Sequence, residues 1–321
     1  MARIINGVFK RFHLFLLFVL IISVIGFLLV AIYPINDNRG INHSQNEDEQ
    51  INDLEEFHVN GDPIPQSDGH KLAVIIPFRD RFEELMVFVP HMSTFLRNQN
   101  VPHRIFVINQ IDTYRFNRAS LINIGFLESK QECDYIAMHD VDLLPLNPAL
   151  NYKYPQNGVF HIAAPNLHPL YHYEKFVGGI LLITGENFEK LNGLSNKYWG
   201  WGLEDDEFYV RMKKQGIKIY RPEGITTGNK TFQHIHDKRR RTRDKDKFFD
   251  QREKTRRLDK VTGVNTVQYT IDSQHDMVID GGKVTIINVR LKCDIQSTPW
   301  CLMKEDHVLY EQLKDKQKRV K

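Results

Sequence analysis

A chain of 321 residues, 41% of them hydrophobic, can bury a substantial core in one large domain or two small ones, which excludes a wholly disordered chain. Its 43 basic and 40 acidic residues nearly cancel to a formal charge of +3, so the bulk charge gives no case for nucleic acid as a partner. Three cysteines are too few for a disulfide scaffold, since one bridge between two of them leaves the third thiol over.

Residues 14–33 form an uncharged run interrupted by Ser23, long enough as a helix to cross the roughly 30 Å hydrocarbon core of a bilayer. The run exceeds the apolar stretch of a cleaved signal peptide and lacks a small-x-small cleavage site before Tyr33 and Pro34, so it is predicted to be a retained transmembrane signal anchor. Arg3, Lys10 and Arg11 precede it, whereas Asp37 and Arg39 nearly balance after it, which leaves residues 1–13 as a cytoplasmic tail and sends the remainder to a lumen or the outside. Residues 34–69 are rich in Asn, Asp, Glu, Gln and Gly and poor in large apolar residues; they read as a stem. Asn42 and Asn229 begin Asn-x-Ser/Thr triplets and are candidate glycosylation sites in such a compartment.

From residue 71 the pattern turns to alternating short apolar runs and helical stretches: a strand at 72–77, a helix at 83–98, a strand at 104–108, a helix at 118–130 and a strand at 135–139. Successive units of this kind predict βαβ crossovers and a largely parallel sheet, with ligands at the carboxyl ends of the strands. Further on, 179–184 reads as a strand, 187–192 as a short helix capped by Thr184 or Glu186, 208–215 as a helix and 284–291 as a last β segment. Cys293 and Cys301, eight apart around a Ser-Thr-Pro turn, are the expected bridge, while Cys133 beside an apolar run is expected to be a buried thiol. Residues 70–302 form the expected lumenal globular domain and 303–321 a charged tail.

Three constellations carry candidate chemistry. Asp140-Val141-Asp142 follows the strand at 135–139, and in extended backbone Asp140 and Asp142 point the same way, offering hard oxygen ligands for Mg²⁺ or Mn²⁺ on a diphosphate. Alone, the triplet reads as an acidic turn; its place at a strand end favours the metal. His234-Ile235-His236 puts two imidazoles on one face, and with one carboxylate they make a plausible Mn²⁺ set completed by phosphate oxygens, although an isolated His-x-His reads as surface residues. Trp199 to Glu207 runs two Trp and two Gly into four consecutive acids. Acids at a helix start complement its dipole, but indoles beside carboxylates also suit a sugar, and one carboxylate could take a proton from an attacking hydroxyl. Tyr171 and Tyr173 add aromatic rings before Gly178 and Gly179, and Arg79, Arg81 and Arg118 stand where guanidinium groups could meet a diphosphate. The charged run 238–257, with its interleaved acids, reads as a solvated loop or helix.

Pro77-Phe78-Arg79-Asp80-Arg81, Phe116-Asn117-Arg118-Ala119, Asp140-Val141-Asp142, Phe176-Val177-Gly178-Gly179 and Trp199-Gly200-Trp201-Gly202-Leu203-Glu204-Asp205-Asp206 stand in the order seen in the β-1,4-galactosyltransferase family, and the resemblance covers about residues 70–302. His234 with His236 before a basic run, Tyr171-His172-Tyr173, and Cys293 to Thr298-Pro299-Trp300-Cys301 resemble most the members that put galactose on xylose; other members generally have methionine where His234 stands. The resemblance implies a GT-A fold, a Rossmann-like mixed, mostly parallel sheet flanked by helices. It also implies a Golgi type II membrane enzyme that uses UDP-galactose and Mn²⁺ to galactosylate, with inversion, the 4-hydroxyl of β-xylose on proteoglycan core proteins, with no nucleic acid involved. By the same resemblance Asp142, His234 and His236 would ligate Mn²⁺. Pro77, Phe78, Arg79, Arg81, Phe116, Arg118, Asp140, Val141, Trp201 and Glu204 would bind the donor. Tyr171, Tyr173, Trp201, Leu203, Asp205 and Asp206 would bind the acceptor, with Asp205 the catalytic base. The competing readings are transfer to terminal N-acetylglucosamine, transfer of N-acetylgalactosamine, and a non-catalytic glycan-binding protein.

Overall fold

Leu72–Phe78 forms β1, and every one of its residues is buried. Leu72, Val74, Ile76 and Phe78 join one hydrophobic cluster, while Ala73 and Ile75 join a second on the opposite face. The alternation follows from the two-residue period of a strand, and an uninterrupted apolar run marks a strand covered on both sides. The computed structural model describes residues 69–308 and residue 311, all within one compact unit, Pro63–Lys321. The predicted cytoplasmic tail, membrane span, Asn42 and almost all of the stem lie outside the described residues, as does most of the C-terminal tail. Among the described residues no helix is long and apolar enough to cross a membrane.

After β1 come α1 (Phe82–Asn98), β2 (His103–Gln110), α2 (Arg118–Ser129) and β3 (Tyr135–His139), the strand and helix alternation expected from the sequence. Next are β4 (Leu143–Pro145), β5 (Val159–His161), β6 (Ile180–Thr184), α3 (Gly185–Lys190), α4 (Glu204–Lys214), β7 (Ile219–Tyr220), β8 (Phe232–His234), α5 (Gln251–Lys254), β9 (Tyr269–Ile279) and β10 (Gly282–Leu291). Eight strands make one sheet in the order β7-β5-β6-β3-β1-β2-β10-β9, and β4 pairs with β8 alone. Parallel pairing is confined to the centre, β3-β1-β2-β10, and to β5-β7, whereas β3-β6, β5-β6 and β9-β10 are antiparallel. The sheet is therefore mixed and mostly parallel, as expected, and its antiparallel pairs are those of later strands that return without crossover helices. The chain leaves β1 for β2 on one side and crosses to β3 on the other, so the carboxyl ends of β1 and β3 flank a topological switch point, where open α/β sheets bind ligands.

Local chemistry sets the helix starts. The Asn117 side chain accepts from Ser120 N at 2.9 Å at the head of α2, and Thr184, one of the two expected caps, accepts from Asn187 N at 3.2 Å at the head of α3. Helix α4 begins at Glu204, four residues earlier than expected, because Leu203 takes a left-handed φ of 79° and turns the chain into the helix there. The four acids thus lie inside the first turn rather than ahead of it.

Cys293 and Cys301 are bonded, with 6.3 Å between their Cα atoms. The closed loop carries Trp300, fully buried with its Nε1 donating to Lys197 O at 2.8 Å, and Cys301 O receives Arg115 N at 2.8 Å. Closing a loop of this size removes about 2–3 kcal/mol of unfolded-state entropy. Cys301→Ser is therefore expected to lower Tm by about 5–10 °C in a thermal melt; an unchanged Tm would show the bridge to be ornamental. Cys133 is half-buried rather than enclosed, and burial pushes its thiol up to about 12, which leaves it unreactive.

Candidate active site

The short β4-β8 pair sets Leu143 opposite His234, and Ile235 N donates to Asp142 O at 2.8 Å. This pairing brings Asp142 to two histidines some ninety positions away. Asp142 Oδ2 is 3.2 Å from His236 Nδ1 and Oδ1 is 3.8 Å from His234 Nε2, with the two rings 5.6 Å apart. Burial pushes both imidazoles down against the pull of Asp142, which keeps them neutral, the form that ligates metals. Burial and then Asp140 push Asp142 up, against the opposing pull of His234, His236 and Arg81.

On the adjoining wall Arg118 binds Asp140 through Nε at 2.9 Å and Nη2 at 2.7 Å, and its Nη1 lies 3.7 Å from Glu204. Burial opposes the guanidinium charge, but Asp140 and Glu204 outweigh it and raise the Arg118 pKa. Asp205 lies beyond, half-buried on the cavity wall. Burial, then Glu204 and Asp206, push its carboxyl up to about 8 despite Arg118. Its Oδ1 accepts from Asp206 N at 3.0 Å, and a Cβ at Gly178 would stand 2.7 Å from Oδ2 and 2.7 Å from Phe176 Cε2. Gly178 is thus the floor under this carboxylate. Gly178→Ala is expected to displace Asp205 and cut kcat about tenfold or more while leaving UDP affinity intact; unchanged kcat would show the carboxylate tolerates the shift.

Trp201 is held between glycines of left-handed φ, 81° at Gly200 and 94° at Gly202. At Gly200 a Cβ would also strike the Arg115 guanidinium, 2.2 Å away. Trp201 N donates to Asp244 O at 2.7 Å, Lys247 Nζ donates to Trp201 O at 2.9 Å, and the indole lies under Arg243 and Lys245. Asp244 is anchored in turn by the buried Arg115 at 2.7 and 2.9 Å. Arg241 pairs with Glu83 and Glu84 on α1. The basic run is largely exposed, as expected of a solvated loop, and it also straps across the site: Asp244 meets the buried Arg115, while Arg241 meets helix acids and Arg243 and Lys245 meet the Trp201 ring.

These walls enclose a cavity of about 650 Å³, within the range of small-molecule sites. Among known sequences, the family models for the N-terminal region of glycosyl transferase group 7 and for the N-terminal domain of galactosyltransferase match residues 33–155 and 158–236. Beta-1,4-galactosyltransferase 7 of Drosophila melanogaster is 57% identical over 244 residues, 74% of this chain and 76% of the relative. The Homo sapiens protein of the same name is 54% identical over 232 residues, covering 72% and 71%. The xylosylprotein 4-beta-galactosyltransferase of Caenorhabditis elegans is 53% identical over 246 residues, covering 75% and 85%. The chain belongs to the β-1,4-galactosyltransferase family. The crystal structure of the Drosophila catalytic domain in complex with xylobiose superposes with a TM-score of 0.72 at 57% identity, covering 73% of this chain and all of that one. A mutant of the same Drosophila protein, equally similar, was solved with manganese, UDP-Gal and xylobiose. The galactosyltransferase sheet with flanking helices is thus the GT-A architecture expected from the sequence.

The donors of this galactosyltransferase fit a hard divalent cation. Octahedral ligands about 2.1 Å from an ion stand about 3 Å apart, close to the 3.2 Å between Asp142 and His236. Three side chains leave an octahedral shell half filled, and among the described residues no group of three or more His, Cys, Asp or Glu stands ready to hold an ion by itself, so a cation here needs further oxygens, which a diphosphate has. Of the residues expected in the site, Pro77, Arg79, Arg81, Phe116, Arg118, Asp140, Val141, Asp142, Tyr171, Tyr173, Trp201, Leu203, Glu204, Asp205, Asp206, His234 and His236 all line the cavity. Phe78 does not: its strand position turns it into the core, 8% exposed. Arg79 lines the wall but spends its donors on Gln110 O, Tyr114 O and Asp112, so it shapes the 110–114 loop rather than standing free for a phosphate. Asn229 is exposed on a 3₁₀ turn, Gly228–Lys230. His168, Phe176 and the strap from Arg240 to Lys247 also line the cavity. Sequence reasoning missed these as site residues. Phe176 stood in a motif already quoted, but a lone histidine and a charged run carry no such signal.

Proposed function

We propose that this protein transfers galactose from UDP-galactose to the 4-hydroxyl of a β-linked xylose, with inversion, on proteoglycan core proteins. One observation carries the reading: a single cavity sets Asp142 between two neutral imidazoles on one wall and the half-buried carboxylate Asp205 beside Trp201 and Tyr173 on the other. The relatives named for this activity, and the manganese, UDP-Gal and xylobiose in the Drosophila complex, support it.

Asp142, His234 and His236 would hold Mn²⁺, which when bound neutralises charge developing on the departing diphosphate. Phe116 and Arg79 build the nucleotide wall, and Arg118 fixes Asp140 and Glu204 along the donor. Trp201 offers an exposed ring face to a sugar, with Tyr171, Tyr173 and Leu203 around it. Asp205 takes the acceptor hydroxyl's proton as that oxygen attacks the anomeric carbon from the side opposite the diphosphate, and Asp206 with Tyr173 flanks the acceptor. The test is to give the purified full chain UDP-galactose, a β-xyloside and MnCl₂. Galactosyl-β-1,4-xyloside is the expected product; its absence, or faster transfer to N-acetylglucosamine, overturns the assignment.

The location is part of the same proposal: a Golgi enzyme anchored by residues 14–33, with 1–13 cytoplasmic and the catalytic domain in the lumen. The charge asymmetry around that run and the Cys293–Cys301 bridge support it, since disulfides persist in oxidising compartments. Protease protection of the catalytic domain in sealed Golgi vesicles checks it; digestion without detergent would reverse the topology.

A further inference from the structure

His168 has no part in the chemistry above. It lies in the chain between β5 and β6, only 3% exposed, on the cavity wall. Its Nδ1 accepts two backbone donors, Leu170 N at 2.9 Å and Tyr171 N at 3.0 Å. A ring nitrogen that accepts N–H groups carries no proton, so the neutral ring holds its hydrogen on Nε2. Burial holds the ring's pKa down at about 4, and it stays neutral across the physiological range.

The ring is also immobilised. Tyr171 and Phe176 pack at 5.0 and 5.1 Å between centroids, and its Cδ2 would lie 3.5 Å from a Cβ on Gly179. The other buried histidines of this region spend Nε2 on the protein: His139 meets Tyr152 Oη at 3.1 Å and His161 meets Gly178 O at 2.9 Å. Among the described residues Nε2 of His168 makes no hydrogen bond, nor is it sealed from solvent. A buried ring whose tautomer is set by its own loop, and whose one free N–H opens on a ligand cavity, is a pre-aligned hydrogen-bond donor.

Its surroundings indicate which substrate it meets. The ring abuts Gly179, whose carbonyl receives Asp140 N at 2.9 Å, and the titratable groups that act on it most strongly are Asp140 and His234. Both belong to the wall facing the nucleotide sugar. Building on the proposed function, we propose that His168 is a specificity-determining residue whose Nε2–H donates a hydrogen bond to the nucleotide sugar, at a hexose hydroxyl or a β-phosphate oxygen, and not to the acceptor.

Two variants separate this role from loop support. His168→Asn keeps an oxygen where Nδ1 stands, able to accept from Leu170 and Tyr171, but has no group that reaches the cavity. His168→Phe removes both. With MnCl₂ present, His168→Asn is expected to weaken UDP-galactose binding by calorimetry, and to raise its KM, about tenfold. KM for a β-xyloside stays within about twofold and Tm is unchanged. Equal weakening for UDP places the bond on the β-phosphate and unchanged UDP binding places it on the hexose; either supports the proposal. Wild-type donor affinity in His168→Asn alongside a defective His168→Phe would overturn it and leave only a loop cap. A rise in the xyloside KM alone would overturn it as well. Calorimetry needs no turnover, so a wild-type protein that binds UDP-galactose without galactosylating xyloside contradicts the proposed function and not the role of His168.

Discussion

Asp205→Asn is expected to lower kcat by about 10³-fold, the loss typical of a general base, with the affinities for UDP-galactose and β-xyloside within a few-fold of wild type. The amide has the carboxylate's shape and still accepts from Asp206 N, but it cannot take the proton from the attacking hydroxyl. The carboxyl's position at about 8 adds a pH signature. A base works ionised, so kcat/KM for the acceptor should climb from acid pH towards about 8 and then level off. A profile flat between pH 5 and 9 would remove Asp205 from the proton transfer.

Stability gives a second, oppositely signed readout. The Asp205 pKa is raised on folding, so its contribution to stability is whole below the unfolded value of 3.8 and is lost as pH rises to about 8. Above that it stays lost. Asp205→Asn carries no such charge, so the variant should melt higher than wild type at pH 7–8 and differ little at pH 4. A dead variant that also melts lower would have lost its fold rather than its base.

Asp142→Ala is expected to weaken Mn²⁺ binding about 100-fold or more, since even the residues that only support a metal's ligands are worth 10–100-fold. Of the three proposed ligands Asp142 alone carries negative charge, and it alone meets both imidazoles. The backbone bond from Ile235 N to Asp142 O survives the substitution, which keeps β8 in register. Activity at millimolar Mn²⁺ should fall by about 10²-fold or more as the several kcal/mol that a metal gives a leaving diphosphate disappear. Titration followed by the electron paramagnetic resonance of free Mn²⁺ reads the affinity directly. Wild-type affinity in the variant would move the metal elsewhere.

How legible each part was depended on how its energy is stored. The runs at β1, β2 and β3 announced themselves because strands buried on both faces must be apolar throughout. Strand β9 was invisible: Tyr269–Ile279 is mostly exposed, and its place comes from backbone pairing along β10, which leaves little mark on side-chain type. The start of α4 was placed late because a leucine in left-handed backbone has no compositional signature. The 238–257 run resembled a solvated loop because its partners, Arg115, Glu83, Glu84 and Trp201, are remote in sequence.

The amino-acid sequence alone determined the order of the central strands and helices, the family motifs, the pairing of Cys293 with Cys301, and the identity of most groups around the cavity. Each of these is written in local apolar periodicity or in short strings of chemistry-bearing residues. The tertiary structure decided what those groups do to one another: that β4 and β8 draw Asp142 between His234 and His236, that burial and two neighbouring acids drive Asp205 up to about 8, that Phe78 faces the core, and that a basic strap roofs Trp201. Burial and Coulomb interaction act through distance in space, and residues far apart in the chain acquire that distance only when it folds.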